Sequence, residues 1–156
     1  MKRIELTQGR VAVVDSEDYE ELNKYNWQAR VQTYTGLFRA KRRENKKEID
    51  MAREIMNCPP GLEVDHINGD LLDNRKCNLR ICTHGENMRN RRLQRNNTSG
   101  YRGVHYFKRD GRYVAYIYLN GRKIHIGSYK TDIDAAMAYN AHARDLHGEF
   151  ARLNDI

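Results

Sequence analysis

Apolar and polar positions alternate most regularly near the C-terminal end of the chain. In Arg112–Leu119 (RYVAYIYL), Ala115, Ile117 and Leu119 fall on one side of an extended strand, and Arg112, Val114, Tyr116 and Tyr118 on the other. The runs GVHYF and RKIHIG have the same period, with Ile124 and Ile126 opposing Lys123 and His125. Asp110-Gly111 and Asn120-Gly121 separate the three runs, and both are strong two-residue hairpin signals. The period then becomes helical. Thr131 with Asp134 three residues on forms a capping-box-like start, and Ala136, Tyr139, Ala143 and Leu146 share a face up to Gly148. The prediction is a three-stranded antiparallel sheet with its aliphatic face packed on one helix. Its other face, bearing Arg, Lys, His and two tyrosines, has no helix to cover it.

Upstream the pattern is shorter-ranged. RVAVVD (Arg10–Asp15) reads as a strand and SEDYEELNKY (Ser16–Tyr25) as a short acidic helix. NWQARVQTY and LFRAKRRE flank Thr35-Gly36 as a hairpin, and Asp50–Met56 is a short helix stopped by Pro59-Pro60. LEVDH and LRIC read as two short strands around the turn-rich loop INGDLLDNRKCN. Thr83 with Glu86 marks a helix start at about His84. The fold class is therefore α+β. Residues 1–60 form a strand-rich unit, 61–92 a ββα core, 93–100 a basic linker and 101–156 the sheet-plus-helix domain.

Charge sharpens this picture. The net charge is +7, and the window 89–112 alone holds Arg89, Arg91, Arg92, Arg95, Arg102, Lys108, Arg109 and Arg112 against Asp110. So focused a basic run favours a polyanionic partner, with nucleic acid first. In the first 60 residues Lys41, Arg42, Arg43, Lys46 and Lys47 could touch a phosphate backbone or form a solvated hairpin. No apolar run approaches a membrane span, and the N-terminus turns polar too early for a signal peptide. The expected compartment is the cytosol, bacterial or of a phage-infected host. Cys58, Cys77 and Cys82 form no C-x-x-C pair and read as buried reduced thiols, with a disulfide or structural zinc site as the alternative.

Hydrolysis of a phosphodiester needs a base for water, a metal to stabilise charge, and a group to position the base. In VDHINGDLLDNRKCNLRICTHGENMRNRR, His66 is the candidate base, with an intrinsic pKa near working pH. Asp65 is an oxygen ligand suited to Mg²⁺ or Mn²⁺. Asn87, and His84 one turn earlier, can supply a further ligand from the helix, and Asn78 can fix the imidazole across the loop.

The same stretch resembles the HNH, or ββα-metal, nuclease motif in its phage and intron-borne homing-endonuclease variant. The resemblance implies one divalent metal, Mg²⁺ or Mn²⁺ before Zn²⁺, on Asp65 and Asn87. It also implies His66 as general base, Asn78 as the bracing residue and His84 as a substitute or extra ligand. The C-terminal segment resembles the DNA-binding domain of plant APETALA-two/ethylene-response factors through YRGV, IGSYKT, the DAAMAYNAHARDLHG helix and a late LN. That domain lays its sheet in the major groove of double-stranded DNA. Arg102 matches one of its contacting arginines. Elsewhere the plant domains use Arg and Trp, and here the matching places hold His105, Tyr116, Tyr118, Lys123 and His125.

These readings converge on a site-directed, homing-type DNA endonuclease that nicks. The alternative is a DNA-binding regulator with an inactive HNH-like unit. An RNA-binding role is disfavoured because A-form RNA hides its major groove. The expected partner is double-stranded DNA, with no membrane and no obligatory protein partner; a homodimer stays open.

Overall fold

The computed structural model describes residues 1–33, 35–90, 93 and 97–156. It is an α+β structure of small antiparallel sheets, divided into two compact units, Met1–Asn87 and Met88–Ile156.

The first unit opens with a hairpin of β1 (Lys2–Glu5) and β2 (Val11–Val14), followed by α1 (Ser16–Leu22). A second sheet runs in the order β3 (Gln28–Val31), β4 (Phe38–Glu44), β5 (Lys47–Asp50). Ile4, Val14, Leu22, Trp27, Ala40 and Met51 form the core between them. Its edge carries a buried cation. The Arg42 guanidinium stacks 3.9 Å from the centre of the Tyr25 ring and pairs with Glu54 and Glu44. Strand β5 carries no glycine signal. Asn45 and Lys46 themselves adopt positive φ (48° and 65°), making the tight turn that the sequence pattern reserves for glycine.

Helix α2 (Met51–Ile55) begins where the Asp50 carboxylate accepts the amides of Ala52 and Arg53. Its Ala52 and Ile55 pack against Val64 and Leu79. Those two residues belong to the hairpin of β6 (Glu63–His66) and β7 (Leu79–Cys82), which α3 (His84–Arg89) follows. Thr83 and Glu86 form the expected capping box, each side chain bonding the other's backbone amide (3.3 and 2.7 Å).

The second unit is the predicted sheet on one helix. Strands β8 (Val104–Phe107), β9 (Arg112–Leu119) and β10 (Arg122–Tyr129) run in the order β10-β9-β8, and α4 (Asp132–His147) packs beneath. Ala115 and Ile117 meet Ala135, Ala136, Tyr139 and Ala143, so small helix residues allow close approach. A bulge between His125 and Gly127 keeps Ile126 in this core. Asn154, which only the C-terminal LN hinted at, closes the unit. Its side chain takes the Arg102 amide (2.6 Å) and donates to the Arg102 carbonyl, while its backbone exchanges hydrogen bonds with the Asn140 side chain.

Gly103 lies in the left-handed region at φ +71°, and a Cβ there would stand 2.3 Å from the Tyr139 ring. Gly103→Ala is expected to destabilise the protein by about 1–3 kcal/mol, read as a lower denaturant midpoint. His147 is buried, with Nε2 on the Tyr118 carbonyl (2.9 Å), and burial lowers its pKa from 6.5. The unfolded chain then binds that proton more tightly than the folded one, so protonation favours unfolding. Stability should fall as pH drops from about 6.5 toward the lowered folded value, and His147→Gln should flatten that part of the profile.

Candidate nuclease centre and nucleic-acid face

Strand β6 remains regularly paired through His66, so its side chains alternate between two faces. Glu63 and Asp65 share one. There Asp65, only 4% exposed, receives Arg80 Nε (2.9 Å) and Nη2 (2.7 Å) on Oδ2 from its register partner on β7. Glu63 reaches α3, with Oε1 meeting His84 Nδ1 at 2.7 Å and Oε2 accepting from Asn87 Nδ2. The Asn87 amide, then His84, hold the Glu63 carboxyl below its ordinary range, against a contrary push from burial. His84 is otherwise largely exposed.

His66 lies on the opposite face, 2% exposed. Its Nε2 stands 3.1 Å from Asn74 Oδ1. The Asn74 amide nitrogen donates to the Leu72 carbonyl (3.3 Å), which orients the carbonyl oxygen toward the imidazole. An acceptor opposite Nε2 places the ring proton there and the basic lone pair on Nδ1. Burial lowers the His66 pKa, while Asn74 partly offsets it, so the neutral ring is favoured.

Asn78 acts on the loop. Its Oδ1 accepts from the Asn68 amide (3.0 Å) and its Nδ2 donates to the Asp73 carbonyl (2.8 Å). The loop is also tied to the N-terminal hairpin. Val13 N donates to Leu72 O (2.9 Å), Asn74 N donates to Val13 O (2.8 Å), and the Lys76 amide meets Asp15.

Sequence reasoning missed Glu63, Asn74 and Arg80. The period-2 rule would have found Glu63, two residues before Asp65. Arg80 became visible only through strand register, and Asn74 only through the folded loop.

Among the described residues no three His, Cys, Asp or Glu side chains are grouped as a metal centre. The fit to a divalent cation therefore rests on the donor set. Asp65 offers carboxylate oxygens, the hard donor type that Mg²⁺ and Mn²⁺ take, with Oδ2 already receiving the Arg80 fork. With Asn87 Nδ2 directed at Glu63, its carbonyl oxygen is the half of the amide suited to a cation. Few oxygen ligands completed by water suit Mg²⁺ or Mn²⁺ better than Zn²⁺. His84 already engages Glu63 through Nδ1.

In the second unit the open sheet face gathers His105, Tyr116, Tyr118, Lys123 and His125. Tyr116 is central. His105 and His125 have ring centres 6.0 and 5.4 Å from it, and Lys123 Nζ lies 3.7 Å from its ring centre. Tyr118 is exposed, as are Arg112 and its register partner Phe107, an aromatic that sequence reasoning passed over. Lys108 and Arg109 stand in the adjoining turn, Arg109 paired with Asp110. Arg102 is half-buried and Arg89 ends α3. Arg91, Arg92 and Arg95 lie outside the described residues.

Residues 57–89 match the HNH endonuclease family. Over 148 residues, 95% of this chain and 76% of the relative, the sequence is 28% identical to an uncharacterized HNH endonuclease of Acanthamoeba polyphaga mimivirus. It is 32% identical over 94 residues to Protein 3.8 of Escherichia phage T7, covering 60% of this chain and 77% of that protein. A partial match, 35% identical over 68 residues, joins 44% of this chain to 14% of an AP2-like ethylene-responsive transcription factor of Arabidopsis thaliana.

Asn74→Ala removes the acceptor that selects the His66 tautomer. The His66 ring nitrogens, followed by ¹⁵N NMR, should shift from one protonated Nε2 to a tautomer mixture, with a stability loss of about 1–3 kcal/mol. An unchanged ring spectrum would mean that Asn74 does not set the tautomer.

Proposed function

We propose that this chain, which carries an HNH endonuclease domain over residues 57–89, is a divalent-metal DNA endonuclease of the site-directed, homing type. The observation that carries the reading is the arrangement at β6 and α3. Asp65 and Asn87 supply hard oxygens, while His66, next in sequence but on the other face of β6, has burial favouring its neutral form and Asn74 placing its basic lone pair on Nδ1.

Asp65 and Asn87 would hold the metal, with Glu63 orienting the Asn87 amide and His84. When bound, the metal supplies charge stabilisation at the phosphate and the departing 3′ oxygen. His66 takes the proton from the attacking water, a role open only to a neutral imidazole. Asn74 keeps Nδ1 as the accepting nitrogen, and Asn78 holds the loop that carries Asn74. One such centre per chain makes a nick the expected product. The second unit, residues 101–156 in the sequence-based division, is the proposed reader of duplex DNA. Its open face mixes cations and aromatics, which suit phosphates, base edges and methyl groups. The partial match to a plant transcription factor supports the same assignment.

Supercoiled plasmid should be converted to nicked circles with Mg²⁺ or Mn²⁺ and left intact with chelator. His66→Ala should slow the reaction by about 10²–10⁴-fold, and Asn87→Ala should raise the metal concentration required. Equal nicking by wild type and His66→Ala would remove the nuclease assignment of that histidine. DNA binding without any nicking would favour the regulator reading.

A further inference from the structure

The first unit carries a second cationic surface that the nuclease motif does not account for. Alternation along β4 sends Ala40 into the core and Arg39, Lys41 and Arg43 to the other face of the sheet. Arg30 on β3 is the register partner of Arg39 and joins them. Alternate strand residues stand roughly 6.6 Å apart, comparable with the step between successive phosphates of one strand. An open cleft of about 280 Å³ lies here, lined by Gln28, Arg30, Lys41, Arg43, Lys46 and Glu48. Arg42, also in its wall, is already matched by Glu44 and Glu54.

Arg42 apart, the cleft thus sets four cations against one carboxylate. Glu48 pairs with Lys41 at 2.6 Å, and Arg30 and Arg43 also act on it, so its carboxyl is held below the usual range. A single carboxylate stands where several cations converge. Among the described residues no aromatic or aliphatic side chain lines the cleft, so they offer nothing to grip a base or a small apolar ligand. The surface leads toward the nuclease hairpin. Arg39, the next cation of the row, pairs at 3.2 Å with Asp50, the residue that caps α2, and α2 packs on the nuclease hairpin at Val64 and Leu79.

We propose that this row of cations seats the phosphodiester backbone of duplex DNA beside the cleavage centre, a contact surface additional to the sheet of the second unit. The inference rests on the nuclease reading and adds a substrate-positioning role for Arg30, Lys41 and Arg43. Glu48 acts as an electrostatic gate that weakens backbone binding, because it neutralises part of the charge a phosphate would meet.

The test uses the full chain and a fluorescent duplex of random sequence, with anisotropy read over a salt series in chelator. Arg30→Ala/Arg43→Ala should weaken binding and lower the slope of log K against log salt by about 2, one for each lost phosphate contact. Glu48→Gln should bind several-fold more tightly than wild type with a steeper slope, a gain that misfolding cannot produce. Wild-type slope and affinity in all these variants would overturn the proposal, even if plasmid nicking is intact. If wild type binds duplex but never nicks, the nuclease reading fails and the slopes still decide the surface. If wild type does not bind duplex DNA, both fail.

Discussion

Two backbone hydrogen bonds, Val13 N to Leu72 O and Asn74 N to Val13 O, carry more of the structure than their number implies. They form a parallel bridge between the N-terminal hairpin and the loop that separates the two strands of the nuclease hairpin. Each contributes only about 0.5–1.5 kcal/mol by itself. What they fix is position. The Leu72 carbonyl they hold also accepts from the Asn74 amide, which turns Asn74 Oδ1 toward His66 and selects the imidazole tautomer. Asn78 completes the support by binding Asn68 and Asp73 across the same loop. A polar loop of this length has little apolar burial of its own, so it takes its geometry from β2.

This gives the first sixty residues a physical task. Their core, from Ile4 and Val14 to Trp27 and Met51, builds the wall against which the loop is pinned. Through Ala52 and Ile55 it also supports the underside of β6 and β7 at Val64 and Leu79. A hairpin of two four-residue strands is marginal in water. It persists here because α2 buries one of its faces and α3 crosses the other through Glu63. The same support carries electrostatics. Burial is the main influence on the His66 pKa, and Arg39 and Asp50, paired on the neighbouring sheet, add opposing effects from outside the motif.

The second unit follows a simpler rule. Alanines on α4 let the helix approach β9, and the glycine at 103 makes room for the Tyr139 ring, so the aliphatic face closes tightly. The opposite face then keeps its histidines, tyrosines and lysine around Tyr116. The sequence period was sufficient to assign both faces, because alternation in a strand is a property of the backbone itself.

Local chemistry therefore made the elements legible. The capping boxes at Thr83 and Thr131, the Asn120-Gly121 turn and the alternation of Arg112–Leu119 all depend on residues within a few positions of each other. The densely spaced Asp, His and Asn residues also made the family legible. Tertiary structure decided the rest. Strand pairing joined Asp65 to Arg80, helix packing joined Glu63 to Asn87 and His84, and the loop fold gave His66 to Asn74. It also turned Arg39, Lys41 and Arg43 of β4 to one side and buried Arg42 on the other, though all belong to one basic segment. Those outcomes depend on which distant backbone segments meet, and strand register and loop closure are settled only when the whole unit folds.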